Sequence, residues 1–331
     1  MKKALTISVA AYNVEKYLDK LMQSLIASEV MDQLEILIVN DGSKDQTESK
    51  ALEYQNLYPQ SVRLINKENG GHGSTINRGI IEATGKYFRA LDGDDWIHSE
   101  HLKDLVLKIP DINADVILSD FCRCHETGEE VTEEFTMLEK GKVYSFEEIQ
   151  DKVGWMRYHT VIYRTEMLQE HHICLDEHCF YVDTEFMLFP VPFVNSVYYS
   201  KDTIYCYRFG LAEQSVSAES RMKHIDNSLT VSKSLLKYYR KMENQLSPQK
   251  RQYYINGTTG HCIWYFESLL HFTDNKKRKE ELREFDQFVK AHSMDVYNET
   301  EKRSKKWMLI RKSNYLLYSI MQKYYVTKHK A

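Results

Sequence analysis

No run of apolar residues in the sequence approaches the ~20 that a membrane-spanning helix requires, so no span is expected. Cysteine is sparse: six residues, at 122, 124, 174, 179, 206 and 262, in a chain of 331. That density does not make the disulfide framework of a small secreted domain, and the thiols read as free, in a reducing, cytoplasmic compartment. Internal repeats and low-complexity segments are missing. The opening Met1-Lys2-Lys3 imitates the charged start of a signal peptide. The apolar run behind it is short, broken by Thr6 and Ser8, and lacks a small-residue cleavage site, so a first strand is expected instead. Two nucleotide signatures are also absent. The glycine-rich stretch Asn69 to Ser74 does not end in Lys-Ser/Thr, which excludes a P-loop. The first strand–helix turn has no Gly-x-Gly-x-x-Gly, which argues against a dinucleotide site. Acidic residues are missing from 302–331, which holds nine Lys or Arg. The rest of the chain carries 35 basic against 48 acidic residues, a balance of −13. With no groove signature of alternating aromatic and basic residues, nucleic acid is not an expected partner.

The composition is that of a soluble globular protein, 42% hydrophobic and 28% charged, long enough for a large domain and a smaller one or for two domains. Leu5 to Ala11, Leu34 to Val39, Val62 to Ile65, Tyr87 to Leu91 and Asp115 to Phe121 read as strands. Helices are expected between them. Val14, Tyr17, Leu18, Leu21 and Leu25 fall at helical spacing behind Asn13 as N-cap, and Ser43 with Gln46 forms a capping box. Asn69 to Ser74 reads as a flexible loop before a helix over 75–83. This alternation predicts an α/β fold with a mainly parallel sheet covered on both faces. Ser145 and Glu148 cap a short helix, Ser196 to Arg208 is strand-like, and the chain turns helical from about 220, with Ser247-Pro248 opening one helix.

The chemistry concentrates at strand ends. Asp92, Asp94 and Asp95 surround Gly93 directly after the fourth strand. Carboxylates this close repel unless a cation or solvent relieves them, and Mg²⁺ or Mn²⁺ takes such oxygen ligands together with substrate phosphates. Tyr12-Asn13 ends the first strand and Asp41-Gly42 the second. Ligands of parallel sheets bind beyond the carboxyl ends of the strands. An aromatic platform, an isolated carboxylate and a metal-binding cluster in one cleft suit a nucleoside diphosphate.

The sequence resembles the family 2 glycosyltransferases of GT-A (Rossmann-like) fold, the bacterial group that builds surface polysaccharides. The matching stretches are Ile7 to Leu18, Val39-Asn40-Asp41-Gly42-Ser43, Asn69-Gly70-Gly71-His72-Gly73, Asn77-Arg78-Gly79 and Leu91-Asp92-Gly93-Asp94-Asp95-Trp96. They cover about 5–120 in the family's order and spacing, with a weaker match to about 217. One departure is Ala11, where the family usually has Pro. The resemblance implies residues 1–217 as the GT-A domain, with a nucleotide-sugar half about 1–120 and an acceptor half about 121–217. Residues 218–331 are then a helical C-terminal region ending in a basic amphipathic tail. It implies a metal-dependent, inverting enzyme that moves a sugar from a nucleotide-sugar donor, UDP-linked by family habit, to a glycan or lipid-linked acceptor. Tyr12 would pack on the base and Asp41 accept from its imide, with Ala10, Asn13 and Gly93 flanking the donor. Asp92 would face ribose and diphosphate. Asp94 would hold Mn²⁺ or Mg²⁺, with Asp92 and Asp95 beside it. His72 and Arg78 would approach the diphosphate. Asp183 occupies the position of the general base, with Glu177 and Glu185 as rivals. Arg208 would pair with phosphate or lie in a surface ion pair.

Two other readings stay open. Cys122-x-Cys124-His125 and His171-His172-x-Cys174 to His178-Cys179 offer soft ligands for zinc but lack the spacing of common zinc modules. A non-catalytic nucleotide-sugar or glycan-binding module would use Tyr12 and Asp41 without needing a base at Asp183. In the tail, Trp307, Ile310, Leu316, Leu317, Ile320, Met321 and Tyr324 recur at helical spacing among Arg311, Lys312 and Lys323. One amphipathic helix is expected there, docked on an anionic membrane surface, on the acidic body of the protein, or on a partner subunit in a homo-oligomer.

Overall fold

A strand covered on both faces needs nearly continuous apolar sequence. Leu5–Ala11 supplies it and forms β1, with Leu5, Ile7, Val9 and Ala11 shut off from solvent. The computed structural model describes residues 3–125, 127–210, 218–273 and 275–328. It separates into two units, Met1–Leu211 and Ala212–Ala331.

In the first unit β1 is followed by α1 (Leu18–Ile26), β2 (Leu34–Asn40), α2 (Thr47–Leu57), β3 (Val62–Asn66), α3 (Gly71–Glu82), β4 (Tyr87–Asp92), β5 (Trp96–Ile97) and α4 (Ser99–Lys108). Then come β6 (Val116–His125), β7 (Glu130–Glu133), β8 (Val143–Ser145), α5 (Phe146–Val153), β9 (Val161–Arg164), α6 (Thr165–Glu170), α7 (Asp183–Leu188) and β10 (Ser196–Phe209). The sheet runs β3-β2-β1-β4-β9-β6-β10-β5, with β7 on β6 and β8 on β10. It is α/β as expected, but mixed rather than mainly parallel. β3, β2, β1 and β4 pair in parallel, as do β6 and β10. The short β9, absent from the sequence reading, enters antiparallel between β4 and β6. Its Val161-Ile162-Tyr163 is the β-branched and aromatic signal for it.

Register places the site. Ala10 pairs with Asp92 across β1 and β4, and Ala11 with Asn40 across β1 and β2. The ends of three strands therefore open at one edge, carrying Tyr12, Asp41 and Asp92 together.

Several local expectations need correcting. Asn13 does not cap α1, which begins only at Leu18. It takes a positive φ of 54°, and its Oδ1 accepts from Lys44 N–H at 2.8 Å. Ser43 and Gln46 form no capping box. Ser43 Oγ accepts from Asn13 N–H, and Asp45 Oδ1 accepts from Thr47 N–H at the head of α2. The glycine stretch is no free loop: α3 starts at Gly71. Its first N–H groups donate to the Asp41 carboxylate, an N-terminal cap supplied by a different strand. The Ser145–Glu148 capping box is present at α5.

The second unit contains α8 (Ala218–Lys223), α9 (Ile225–Met242), α10 (Pro248–Leu269), α11 (Asn275–His292), α12 (Met294–Arg303), α13 (Lys305–Lys312) and α14 (Tyr318–Lys328). Ser247 caps α10 by accepting from Lys250 N–H. The tail is two helices, broken where Asn314 and Tyr315 take positive φ. Its apolar residues divide between two roles. Trp307 and Ile310 are fully buried, with Trp307 stacked on Phe266 at 5.1 Å. Arg311 is buried too and paired with Asp286. Leu316, Ile320 and Tyr324 are exposed.

Candidate active site

β4 ends in Asp92, and the turn to β5 brings Asp94 and Asp95 back toward it. Gly93 is required there: a Cβ would stand 2.7 Å from Ala10 O and 3.0 Å from Val14 Cγ1. The three carboxylates have unequal surroundings. Asp92 Oδ1 lies 2.9 Å from His72 Nε2, at the first turn of α3, and accepts from the Tyr158 hydroxyl at 3.1 Å. Burial works to raise its pKa, but His72, His159 and Tyr158 outweigh that and hold it low. Asp94 is raised by burial and by the charge of Asp92. Asp95 is raised further, by burial and then by Asp92 and Asp94. Both its oxygens are engaged: Tyr205 donates its hydroxyl to Oδ2 and Arg208 its N–H to Oδ1, each at 2.7 Å.

Such stacked acidity matches a divalent cation. Ligand atoms of Asp92, Asp95 and His159 all lie within 4.8 Å of one another, and carboxylate oxygens suit Mn²⁺ or Mg²⁺. Asp94 stands beside them on the same turn. His159 was missed in the sequence, as was Tyr158; both stand just ahead of an apolar strand and read as core. Burial pushes the His159 pKa down to about 4, leaving the ring neutral and able to coordinate.

Asp41 is buried, and its carboxylate is already supplied with donors. Lys67 Nζ is 2.7 Å from Oδ1, and Gly70 and Gly71 donate N–H to Oδ1 and Oδ2 at 2.9 and 2.8 Å. The side chain thus ties the end of β2 to the head of α3, and a base would have to share it. Tyr12 is half exposed, an open ring beside this edge. Arg78 lies elsewhere on α3. Its guanidinium pairs with Glu82 at 2.7 Å, because a residue six positions beyond His72 turns to another face of the helix. Arg208 lies against the turn that carries the carboxylates. It donates Nε–H to Asp94 O at 2.9 Å, and its guanidinium stacks near Tyr17 and Trp96.

Asp183 opens α7 and lines a cavity of about 320 Å³ together with Tyr158, His159 and Tyr207. Its carboxylate is open to solvent yet ringed by protein. That desolvation raises its pKa, opposed chiefly by His72. The rivals are occupied differently. Glu185 is buried and accepts from Asp176 N–H at 2.8 Å; Glu177 accepts from Asn77 Nδ2 at 3.2 Å. Neither lines the cavity. Tyr158 joins the two regions, its hydroxyl on Asp92 and its ring in the cavity wall.

Among the described residues, two thiols and a carboxylate also meet at Cys122, Cys124 and Glu130, brought together by the β6–β7 register. Cys122 and Cys124 lie on one face of β6, buried with Cys206, and burial raises all three thiols. Of the second soft-ligand group, His171 instead stacks on Phe193.

Comparison with known proteins gives the family and the fold. EpsH of Bacillus subtilis is 30% identical over 215 residues, 63% of this chain and 62% of EpsH. The poly(ribitol-phosphate) beta-N-acetylglucosaminyltransferase TarS of Staphylococcus aureus is 28% identical over 179 residues, 52% of this chain and 29% of TarS. The matches therefore span less than two thirds of either relative. The crystal structure of TarS 1–349 in complex with UDP-GlcNAc superposes with a TM-score of 0.56 at 20% identity, covering 90% of each chain. A mannosyltransferase from Pyrobaculum calidifontis in complex with GDP-Man and Mn²⁺ gives 0.51 at 12% identity, covering 98% of this chain and 86% of that one. These likenesses identify the fold as GT-A. The model of glycosyl transferase family 2 matches residues 6–176, just over half of the chain, and the chain belongs to that family.

Proposed function

We propose that the first unit transfers a sugar, with inversion, from a UDP-sugar to a hydroxyl of a glycan or lipid-linked acceptor in cell-surface polysaccharide synthesis. One observation carries this reading: Tyr158 couples the Asp92 carboxylate to a cavity lined by Asp183. Asp183 takes the proton of the acceptor hydroxyl while its oxygen bonds to the anomeric carbon. The bond from that carbon to the diphosphate oxygen breaks, and the nucleoside diphosphate leaves with the electron pair. A sugar hydroxyl is a poor nucleophile without such a base. Asp94, Asp92 and Asp95, with His159 beside them, would hold Mn²⁺ or Mg²⁺. The cation supplies electrostatic stabilisation of charge on the departing diphosphate. Tyr12 offers its exposed ring to the base, and Ala10, Asn13 and Gly93 shape the adjoining turn.

The complex of TarS with UDP-GlcNAc supports UDP as the nucleotide, and the complex of the mannosyltransferase with Mn²⁺ supports the metal. The test is a panel of nucleotide sugars incubated with the full chain and Mn²⁺, followed for release of nucleoside diphosphate. Release from one UDP-sugar supports the reading. Tight binding with no turnover in any acceptor extract would favour the non-catalytic binding module.

Further proposals concern location. No helix among the described residues is long and apolar enough to cross a membrane. The exposed Leu316, Ile320 and Tyr324 recur every four residues along one side of the tail, near Lys312 and Lys323. That pattern supports docking on the anionic inner face of the cell membrane. Co-sedimentation with acidic vesicles, lost at high salt, tests it; a homo-oligomer formed through the same helices would instead sediment as a larger species without lipid.

A further inference from the structure

The cavity beside Asp183 is electrically divided. On one part of its lining, Tyr158 donates to Asp92 and His159 stands with Asp92 and Asp95. Another part of its lining carries two guanidinium groups, Arg123 and Arg157. Both approach a single carboxylate, Glu133, so two cations face one anion. Arg123 is hydrogen-bonded to Glu133. Arg157 stands 3.6 Å from it, too far for a hydrogen bond, and its side chain is 51% exposed. Each guanidinium lies against an aromatic ring of the lining, Arg157 on Phe121 at 5.5 Å and Arg123 on Phe209 at 5.6 Å. Stacking of this kind keeps the planar group oriented and leaves its N–H edge for an oxyanion.

We propose that the acceptor carries a phosphate or diphosphate group bound by Arg157 with Arg123, while its hydroxyl faces Asp183. This rests on the glycosyl-transfer reading above and names the substrate class of its acceptor side. The chemistry is directional. An anionic acceptor entering with its hydroxyl first places its phosphate on the arginines and leaves the carboxylate cluster to the donor's diphosphate. Charge-assisted, bidentate contacts of this type distinguish phosphate oxyanions from neutral hydroxyls.

The test uses the full chain, the donor that gives nucleoside diphosphate release, and three acceptor probes bearing the same monosaccharide. One is joined through diphosphate to a phenoxyundecyl chain, one is the neutral phenoxyundecyl glycoside, and one is the lipid-free sugar 1-phosphate. The diphosphate probe is expected to exceed the neutral glycoside at least ~10-fold in kcat/KM. Arg157→Ala should bring that ratio down about 10-fold, toward equal use of the two probes, and Arg157→Lys should restore part of it. Because the readout is a ratio, a general loss of activity does not move it. If the lipid-free phosphate matches the diphosphate probe, a free sugar phosphate is the acceptor; if it lags far behind, the lipid-linked form is. Equal use of neutral and phosphorylated probes, or a ratio unchanged in Arg157→Ala, overturns the inference. So does donor hydrolysis without transfer to either phosphate-bearing probe. Absence of any turnover of nucleotide sugars fails the glycosyl-transfer reading itself.

Discussion

Tyr158 donates its hydroxyl to Asp92 Oδ1 at 3.1 Å, and its ring packs edge-on to His72 at 5.8 Å. Asp92 therefore has two partners from separate parts of the chain, and the wall of the acceptor cavity is tied to the carboxylate cluster.

Tyr158→Phe removes that hydrogen bond and keeps the ring. A hydrogen bond to a charged group is worth about 1.5–3 kcal/mol, so kcat/KM should fall by about 10–100-fold. The unfolding midpoint should stay near that of the parent if the contact serves the site. A wild-type rate would show that Asp92 is positioned by His72 alone.

Asp94→Ala should abolish transfer and Mn²⁺-dependent donor binding, because Asp94 stands at the turn where burial and the charge of Asp92 already raise its pKa. Chelator treatment of the parent should have the same effect, reversed by Mn²⁺. Full activity after chelation would remove the metal from the account.

The pH profile follows from Asp183. A base must be ionised to accept a proton, and desolvation raises this carboxyl above its ordinary value near 3.8. The rate should therefore fall as pH drops, on a limb lying above that value. His72 opposes the shift by favouring the carboxylate. His72→Gln should move the limb to higher pH; a shift in the other direction, or none, would mean another group controls it.

In the second unit Asp286 accepts from Arg311 Nε–H at 2.8 Å and from the Tyr315 hydroxyl, with both charged partners buried. Asp286→Ala leaves a buried guanidinium without its counter-ion, which costs about 3–5 kcal/mol. Denaturant unfolding of the full chain should register that loss. A change below about 1 kcal/mol would mean that water or another group compensates. Trp307 lies in the same core, so truncation near residue 300 should unfold this unit, not simply release a peripheral helix.

The strand ends were legible because they depend on local pattern. A continuous apolar run such as Leu34 to Val39 must be covered on both faces, and the polar residues that follow must leave the sheet at its edge. Asp92 and Asp41 were located by that logic alone. Their partners were not legible. Asp41 accepts from Gly70 and Gly71, about thirty residues away, and no spacing rule announces that contact. Tyr158 and His159 have the character of core aromatics, and only the folding of β9 beside β4 and of β10 beside β5 turns them and Tyr205 toward the carboxylates. The tail misled for a related reason. Helical spacing marks an apolar face but does not say what covers it. The break at Asn314 and Tyr315 sends Trp307 inward and leaves Leu316 outside.

The most direct test of the account is Asp183→Asn, which keeps size and hydrogen bonding but cannot accept the proton. With the donor that the parent turns over, kcat should fall by about 10²–10⁴ while the Kd for UDP in Mn²⁺ stays near the parent value. A parent-like kcat in Asp183→Asn, or a comparable loss found only in Glu185→Gln, would contradict the assignment of the base.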